Sequence, residues 1–299
     1  MVIGITGVTG FIGKNLAAAA RRRGHSVIGF SRTAQKTLPD CNETRIFSGD
    51  IPLDLTHLNA IIHLAGESVM GYWTPGKKER ILSSRIDTTR QIVEAIEQTP
   101  DRLRIFLCAS GAGIYGERND EILDESAPPG QGCLVDVSVA WEAEAAKAAA
   151  YGIRVASLRT GLVLGKNQGA FPLLRRVFSL CLGGKLGTGH QYMPWIHIDD
   201  IVALYLFCLE NSVMQGAVNA AAPETCTNDE FTRTLAAEVH RPAIFGTPEF
   251  VLKTALGGQA GLVLESQRVV PTKALAAGFT FAFPTLKSAL SNLLAPVAV

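Results

Sequence analysis

The chain has 299 residues, and 28 Lys and Arg against 27 Asp and Glu leave a formal net charge of +1. That balance gives no electrostatic reason to expect nucleic acid or an anionic membrane surface as a partner. A hydrophobic fraction of 47% with 18% charged residues is ample for a full core and excludes large-scale disorder; the length fits two domains or one α/β domain with a smaller lobe.

The opening segment organises the rest. Val2, Ile3 and Ile5 make a short apolar strand that runs into Thr6-Gly7-Val8-Thr9-Gly10-Phe11-Ile12-Gly13, and a helical pattern through Leu16, Ala17 and Ala20 follows, stopped by Gly24. Strand, glycine turn and helix in this order form a dinucleotide-binding fingerprint. Gly7 permits the turn, Gly10 lets backbone approach a pyrophosphate, and Gly13 lets helix and strand pack closely. Thr9, Phe11 and Ile12 complete the cofactor loop, whose unpaired N–H groups face phosphate. Arg21, Arg22 and Arg23 read as a solvated helix end rather than a polyanion site.

Strands are predicted at 26–30, 45–47, 60–64, 104–109 and 153–158, with helices at 81–96 and 140–150 between the later ones. Near-continuous apolar strands separated by helices imply a parallel sheet covered on both faces, doubly wound if crossovers are right-handed. Regularity weakens after Val163: a Gly-rich loop at 183–189, an apolar run at 192–198, a helix to Leu209 capped by Asp199 and Asp200, then helices at 228–239, 248–256 and 284–294. The expected fold is therefore α/β, a Rossmann doubly wound parallel sheet with a small C-terminal substrate lobe. Residues 1–165 are expected to form the dinucleotide-binding domain and 166–299 mainly the lobe, with some later segments returning to the sheet.

Cys41, Cys108, Cys133, Cys181, Cys208 and Cys226 are scattered and form no Cys-x-x-Cys pair, so reduced thiols explain them better than disulfides or zinc ligands. No His, Cys, Asp and Glu cluster has metal-ligand spacing. No signal peptide or membrane-spanning run is visible, which makes a cytoplasmic location the default expectation.

An NAD site usually places an acid at the end of the second strand, and here that place reads Phe30-Ser31-Arg32-Thr33. Arg32, with Ser31 beside it, suits a 2′-phosphate instead, so NADP is the expected cofactor; a charge-assisted bond there contributes about 1.5–3 kcal/mol. The alternative is an exposed loop arginine. Asp50 is a candidate for the adenine amino group or a loop cap.

Further segments resemble the extended and atypical short-chain dehydrogenase/reductase superfamily. They are Thr6-Gly7-x-x-Gly10-x-x-Gly13, His63-Leu64-Ala65-Gly66 and Ser110-Gly111-Ala112-Gly113-Ile114-Tyr115-Gly116. More narrowly, Glu67, Trp73-Thr74, Ser84-Arg85, Trp141-Glu142, Arg159-Thr160-Gly161 and Gly189-His190-Gln191 through Trp195-Ile196-His197-Ile198-Asp199-Asp200 resemble its epimerase-family branch. The resemblance implies Leu64, Ala65, Gly66 and Arg159 along the cofactor and Arg85, Gln191 and His197 in a substrate pocket, which Arg159 also borders. In extended relatives, helices corresponding to 81–96 and 140–150 often pair, so a homodimer is the expectation by analogy.

Redox chemistry in this superfamily resembles acid–base work by a Tyr with a Lys four residues on, which favours the tyrosinate. Every tyrosine here (Tyr72, Tyr115, Tyr151, Tyr192, Tyr205) lacks Lys at that spacing, and the best register puts Ser138 and Glu142 at the Tyr and Lys places. Tyr115, Ser110, Glu142 and Glu67 remain as candidate catalytic groups, each with a structural alternative: packing for Tyr115, an ion pair for Glu142. His197 reads equally as a hydrogen-bonded structural histidine. Two functions stay open. One is an NADP-dependent oxidoreductase or epimerase on a small polar or nucleotide-linked substrate with a non-standard proton donor. The other is a silent NADP(H)-binding sensor.

Overall fold

The computed structural model describes residues 1–33, 38–48, 51, 53–98 and 103–296. A seven-stranded, all-parallel sheet forms from β1 (Val2–Thr6), β2 (Ser26–Ser31), β3 (Glu43–Ile46), β4 (Ala60–His63), β5 (Ile105–Gly111), β7 (Arg154–Thr160) and β10 (Gly216–Ala220). A pair of two-residue strands, β6 (Ile122–Leu123) and β11 (Arg268–Val269), lies outside it, as does the pair β8 (Leu162–Leu164) and β9 (Trp195–His197). The order in the large sheet is β10-β7-β5-β4-β1-β2-β3, so the chain winds outward both ways from β1 and β4. That reversal is the topological switch point, where open α/β sheets bind ligands.

Two apolar layers sandwich the sheet. Helix α1 (Phe11–Arg22) packs against α5 (Ile198–Glu210) over Ile3, Ile5, Val27, Ile62, Leu107 and Leu158. On the other face α2 (Pro75–Gln98) and α3 (Cys133–Ala146) cover Ile28, Phe30, Ile61, Phe106 and Cys108. Strand side chains alternate between the layers, so these strands read as continuous apolar runs. Helix α1 ends as its sequence requires: Gly24 has φ +79°, and the N–H groups of Gly24 and His25 close on the carbonyls of Arg21 and Ala20.

The second half contains α4 (Phe171–Ser179), α5, α6 (Asn228–Glu238), α7 (Glu249–Leu256), α8 (Gly261–Leu264), α9 (Thr272–Ala276) and α10 (Leu286–Leu294). A separate cluster of Leu164, Phe171, Phe178, Trp195, Phe231, Leu235, Leu286 and Leu290 holds α4, α6 and α10 together. Helix α5 and strand β10 instead belong to the sheet and its cover.

Besides the short β6, β8, β11, α8 and α9, which the sequence pattern did not announce, four longer elements differ from expectation. Helix α3 starts at Cys133, well before 140; burial of Val135, Val137 and Ser138 outweighs the weak helix preference of its β-branched residues. Helix α4 and strand β10 had no anticipated counterpart: α4 spans nine residues and β10 five, too short for periodicity to stand out. Finally, α5 is not capped by Asp199 and Asp200. His197 is the cap, its Nδ1 accepting the Asp199 N–H at 3.1 Å, while the buried Asp200 carboxylate accepts the N–H groups of Ala282 and Phe283. Among the described residues no helix is long and apolar enough to cross a membrane.

Candidate functional site

The carboxyl ends of β1 and β4 set the site. Gly7 takes φ +66° directly after β1, and a Cβ there would stand 2.8 Å from the Ala65 nitrogen. Gly10 donates its N–H to the Gly7 carbonyl at 2.9 Å and starts α1 with no side-chain cap. A Cβ on Gly13 would overlap the Gly7 carbonyl oxygen and come within 2.8 Å of Val8 Cα, so helix and loop touch only because Gly13 has none. Thr9 and Gly10 are exposed. The uncapped first turn of α1 therefore offers N–H groups and its positive dipole end to an anion, a cradle that fits a diphosphate. Phe11 contributes backbone here, because its ring packs on Gly165 and Gly169; a Cβ at either would come within 2.8 Å of it.

Thr6 and His63 join the two strands beneath that cradle. The Thr6 hydroxyl lies 2.7 Å from His63 Nδ1 and accepts the N–H groups of Leu64 and Ala65 at 3.1 and 3.3 Å. On the other side, His63 Nε2 is 3.2 Å from Thr88 Oγ1, whose proton goes to the Ser84 carbonyl at 2.6 Å. With the Thr88 proton committed, Nε2 must donate and Nδ1 must accept from Thr6. Burial, with the Arg85 charge adding to it, lowers the His63 pKa to about 3, so the ring is neutral. Thr6, His63 and Thr88 were not among the expected site residues, although Thr6 and His63 stand within the quoted motifs.

At the far end of β2, Ser31 is half-buried and Arg32 exposed. Glu67, on the loop after β4, bonds Lys77 at 2.5 Å. That bond and the Lys77 charge, with Arg80 and Arg32 adding to them, hold its carboxyl below the usual range. Cations from β2 and α2 thus gather at one corner of the crevice, and Glu67 serves there as their counter-ion rather than as a proton donor. Asp50 lies outside the described residues.

Beyond the switch point, at the end of β5, a charged network replaces the Tyr–Lys pair. Ser110 donates to Glu142 Oε1 at 2.6 Å, and Arg159 grips the same carboxylate through Nε and Nη2 at 3.0 and 2.9 Å. Ser138 sits one turn before Glu142, near Gly111, whose added Cβ would be 3.9 Å from its hydroxyl. The remaining Arg159 nitrogen, Nη1, donates to the Tyr115 hydroxyl at 2.9 Å, and Tyr115 donates onward to Asn219 Oδ1 at 2.7 Å. Asn219 spends its amide on the carbonyls of Leu123 and Val270. Burial opposes the Arg159 charge, but the bonds and charge of Glu142 overcome it and hold the guanidinium protonated more firmly than usual.

Tyr115 itself is fully enclosed, at 0% exposure, and burial pushes its phenol up despite Arg159. The structure therefore makes it an anchor for Arg159, not a proton donor to a ligand in the crevice. Ser110 and Glu142 do come together at the crevice. Asn219 was missed because β10 was missed.

The pocket candidates divide. Arg85 lies at the crevice, against Gly66 and over the Trp141 ring at 5.0 Å. Gln191 is buried elsewhere, its amide donating to the carbonyls of Leu186 and Val263, so it ties the Gly-rich loop to α8. His197 is 1% exposed, stacks on Phe283 at 3.9 Å and caps α5; burial lowers its pKa. His197 is thus enclosed, whereas Gln191 borders a cavity of about 470 Å³ with Glu117, Asn119, His190, Glu249 and Ser266. The loop after β4 also meets the C-terminal region: Gly71 donates to Gln259, and the Trp73 ring borders Gly258. A cavity of about 50 Å³ between Trp73, Cys133, Val135, Gly258 and Glu265 marks that junction. Among the described residues no group of three or more His, Cys, Asp or Glu could hold a metal ion.

Comparison with known proteins agrees with this geometry. The description "NAD dependent epimerase/dehydratase family" matches residues 3–221, and a domain of unknown function, DUF1731, matches 247–293. Epimerase family protein YfhF of Bacillus subtilis is 37% identical over 300 residues, covering 99% of this chain and 98% of its own. Epimerase family protein SDR39U1 of Homo sapiens is 33% identical over 296 residues, covering 97% and 99%. A crystal structure of human epimerase family protein SDR39U1 (isoform 2) with NADPH superposes with a TM-score of 0.90 at 31% identity, covering 98% of this chain and 99% of that one.

Proposed function

The chain belongs to the NAD dependent epimerase/dehydratase family, and on that premise we propose that it is an NADP(H)-binding, short-chain dehydrogenase/reductase-like protein of the cytoplasm. One observation carries the reading. The uncapped α1 start behind Gly7 and Gly13 is followed, at the end of β2, by Arg32 where an acid would select NAD. The human relative crystallised with NADPH supports the same choice. Six free cysteines suit a reducing compartment.

Bound there, the coenzyme supplies hydride transfer, and an oxidoreductase or epimerase reaction on a small polar substrate is the proposed activity. Ser110, Glu142 and Arg159 would face its nicotinamide half: the diphosphate lies over α1 and the adenine half over β2, so the other half extends over β4 and β5. Glu142 presents a lone pair on Oε2 beyond its bond to Arg159, an acceptor for hydroxyl or amide protons. The 1–165 and 166–299 division and a homodimer remain part of the proposal.

The enclosure of Tyr115 and the pairing of Glu142 favour a second reading, an NADP(H) sensor without turnover. Fluorescence titration with NADPH and NADH tests the first step. NADPH should bind tens-fold more tightly, and Arg32→Glu should remove that preference. Equal affinities in the parent protein would defeat the assignment. Turnover of any carbonyl compound in a broad panel would then exclude the silent sensor.

A further inference from the structure

The cavity beside Gln191 lies apart from the coenzyme crevice. Its walls are the turn at 117–120, the Gly-rich loop at 188–191 and the segment 264–266, with Glu249 of α7 on a further side. The segment 264–266 is the partition. Leu264 and Ser266 line this cavity, whereas Glu265 between them lines the small one at Trp73. Glu265 is extended, with ψ 138°, and side chains of extended backbone alternate in direction. At about 470 Å³ the space is of small-molecule size.

Its best-fixed polar groups are acceptors. Gln191 is 7% exposed, and its amide nitrogen donates to the carbonyls of Leu186 and Val263, both at 2.9 Å. The amide therefore cannot turn over, and its Oε1, which has no partner among the described residues, is left to the cavity. The Glu117 carboxylate is held by two backbone N–H groups, Asn119 at 2.8 Å and Ser266 at 2.7 Å. The Ser266 hydroxyl is spent within the wall, donating to the Asn119 carbonyl and accepting the Tyr192 N–H. Asp120 is exposed and has no partner among the described residues. Nearby cations are committed elsewhere: Arg118 to Glu121, Lys253 to Glu249, and Arg268 over the Tyr192 ring. Among the described residues no Lys or Arg lines the space. The negative charge is felt locally, since Glu117 adds to burial in raising the Glu265 carboxyl. A buried amide oxygen without a donor is unfavourable unless a ligand or water supplies one.

We propose that this cavity binds a small organic ammonium compound, whose N–H groups donate to Gln191 Oε1 and to the Glu117 carboxylate. An ammonium brings three donors and a positive charge, the complement of acceptors under negative potential. A neutral diol lacks the charge, an oxyanion is repelled, and a bare metal ion finds no ligand group of three here. The site does not depend on the coenzyme.

The test uses the full chain in calorimetric titrations and thermal melts, with putrescine, spermidine and ethanolamine as probes. Neutral 1,4-butanediol and magnesium chloride at matched ionic strength are the controls. At least one amine should bind saturably at one site, and neither control should. Asp120→Asn, which leaves folding untouched, should weaken that amine about two- to fivefold. Glu117→Gln and Gln191→Met should each weaken it about tenfold or more, and Asp87→Asn on α2, a remote loss of the same charge, should leave it unchanged. NADPH affinity should stay within about twofold in every variant. The assignment is overturned if no amine outperforms butanediol, if magnesium competes as well as the amine, or if Asp120→Asn and Glu117→Gln bind it like the parent. Should Gln191→Met fail to fold, those two variants decide. Loss of NADPH binding in the parent protein with amine binding intact would defeat the coenzyme reading alone.

Discussion

Two alanine substitutions in one loop should separate folding from coenzyme binding. At Gly13 an added Cβ would overlap the Gly7 carbonyl oxygen and stand 2.8 Å from Val8 Cα and 2.9 Å from the Gly7 carbonyl carbon. All three are backbone atoms, so relief requires the Gly7–Val8 turn to move by roughly 1 Å, an overpacking cost of about 1–3 kcal/mol. Helix preference for Ala over Gly returns up to about 1 kcal/mol, because Gly13 lies inside α1. Gly13→Ala should therefore lose about 1–2 kcal/mol of stability and, by displacing the N–H groups, at least about tenfold in NADPH affinity. At Gly10 the added Cβ meets only the Gly7 oxygen, at 3.0 Å, and φ is −74°. Gly10→Ala should melt within a few degrees of the parent yet lose NADPH, because the methyl group stands where a diphosphate would lie. Thermal melts paired with NADPH titration distinguish the two. If Gly10→Ala binds NADPH like the parent, or Gly13→Ala changes neither property, the cradle has been misassigned.

Two other expectations follow from the buried polar groups. His63 has a pKa lowered from 6.5 to about 3, so between those values the unfolded chain takes up a proton that the folded chain refuses, and stability falls as pH drops. From pH 7 to pH 5 this contributes about 2 kcal/mol of loss, and urea midpoints of His63→Gln should show a correspondingly smaller difference between the two pH values; an unchanged difference would exclude the neutral ring. Glu142→Gln leaves Arg159, 7% exposed, without its counter-charge and should cost about 3–5 kcal/mol in denaturant unfolding, much of it recovered in the double variant with Arg159→Met. A loss in the double variant equal to the sum of the two single ones would show that the pair does not interact.

What could be read from the sequence was whatever depends on neighbours along the chain. The β1–glycine turn–α1 unit, the Gly24 stop and the absence of an acid beside Arg32 are local, because turn geometry, helix ends and the residue after a strand are decided within a few positions. The continuous apolar runs of β1, β2, β4 and β5 likewise announced a parallel sheet covered on both faces. Tertiary structure alone decided which polar groups meet. Tyr115 and Asn219 are 104 positions apart, and Thr6 and His63 are 57. Their pairing depends on strand order, which no local pattern encodes. The same holds for His197, whose ring became a helix cap under Phe283, and for Gln191, drawn away to bind α8. Burial then set their chemistry, since desolvation acts on a side chain only once the folded layers have closed over it.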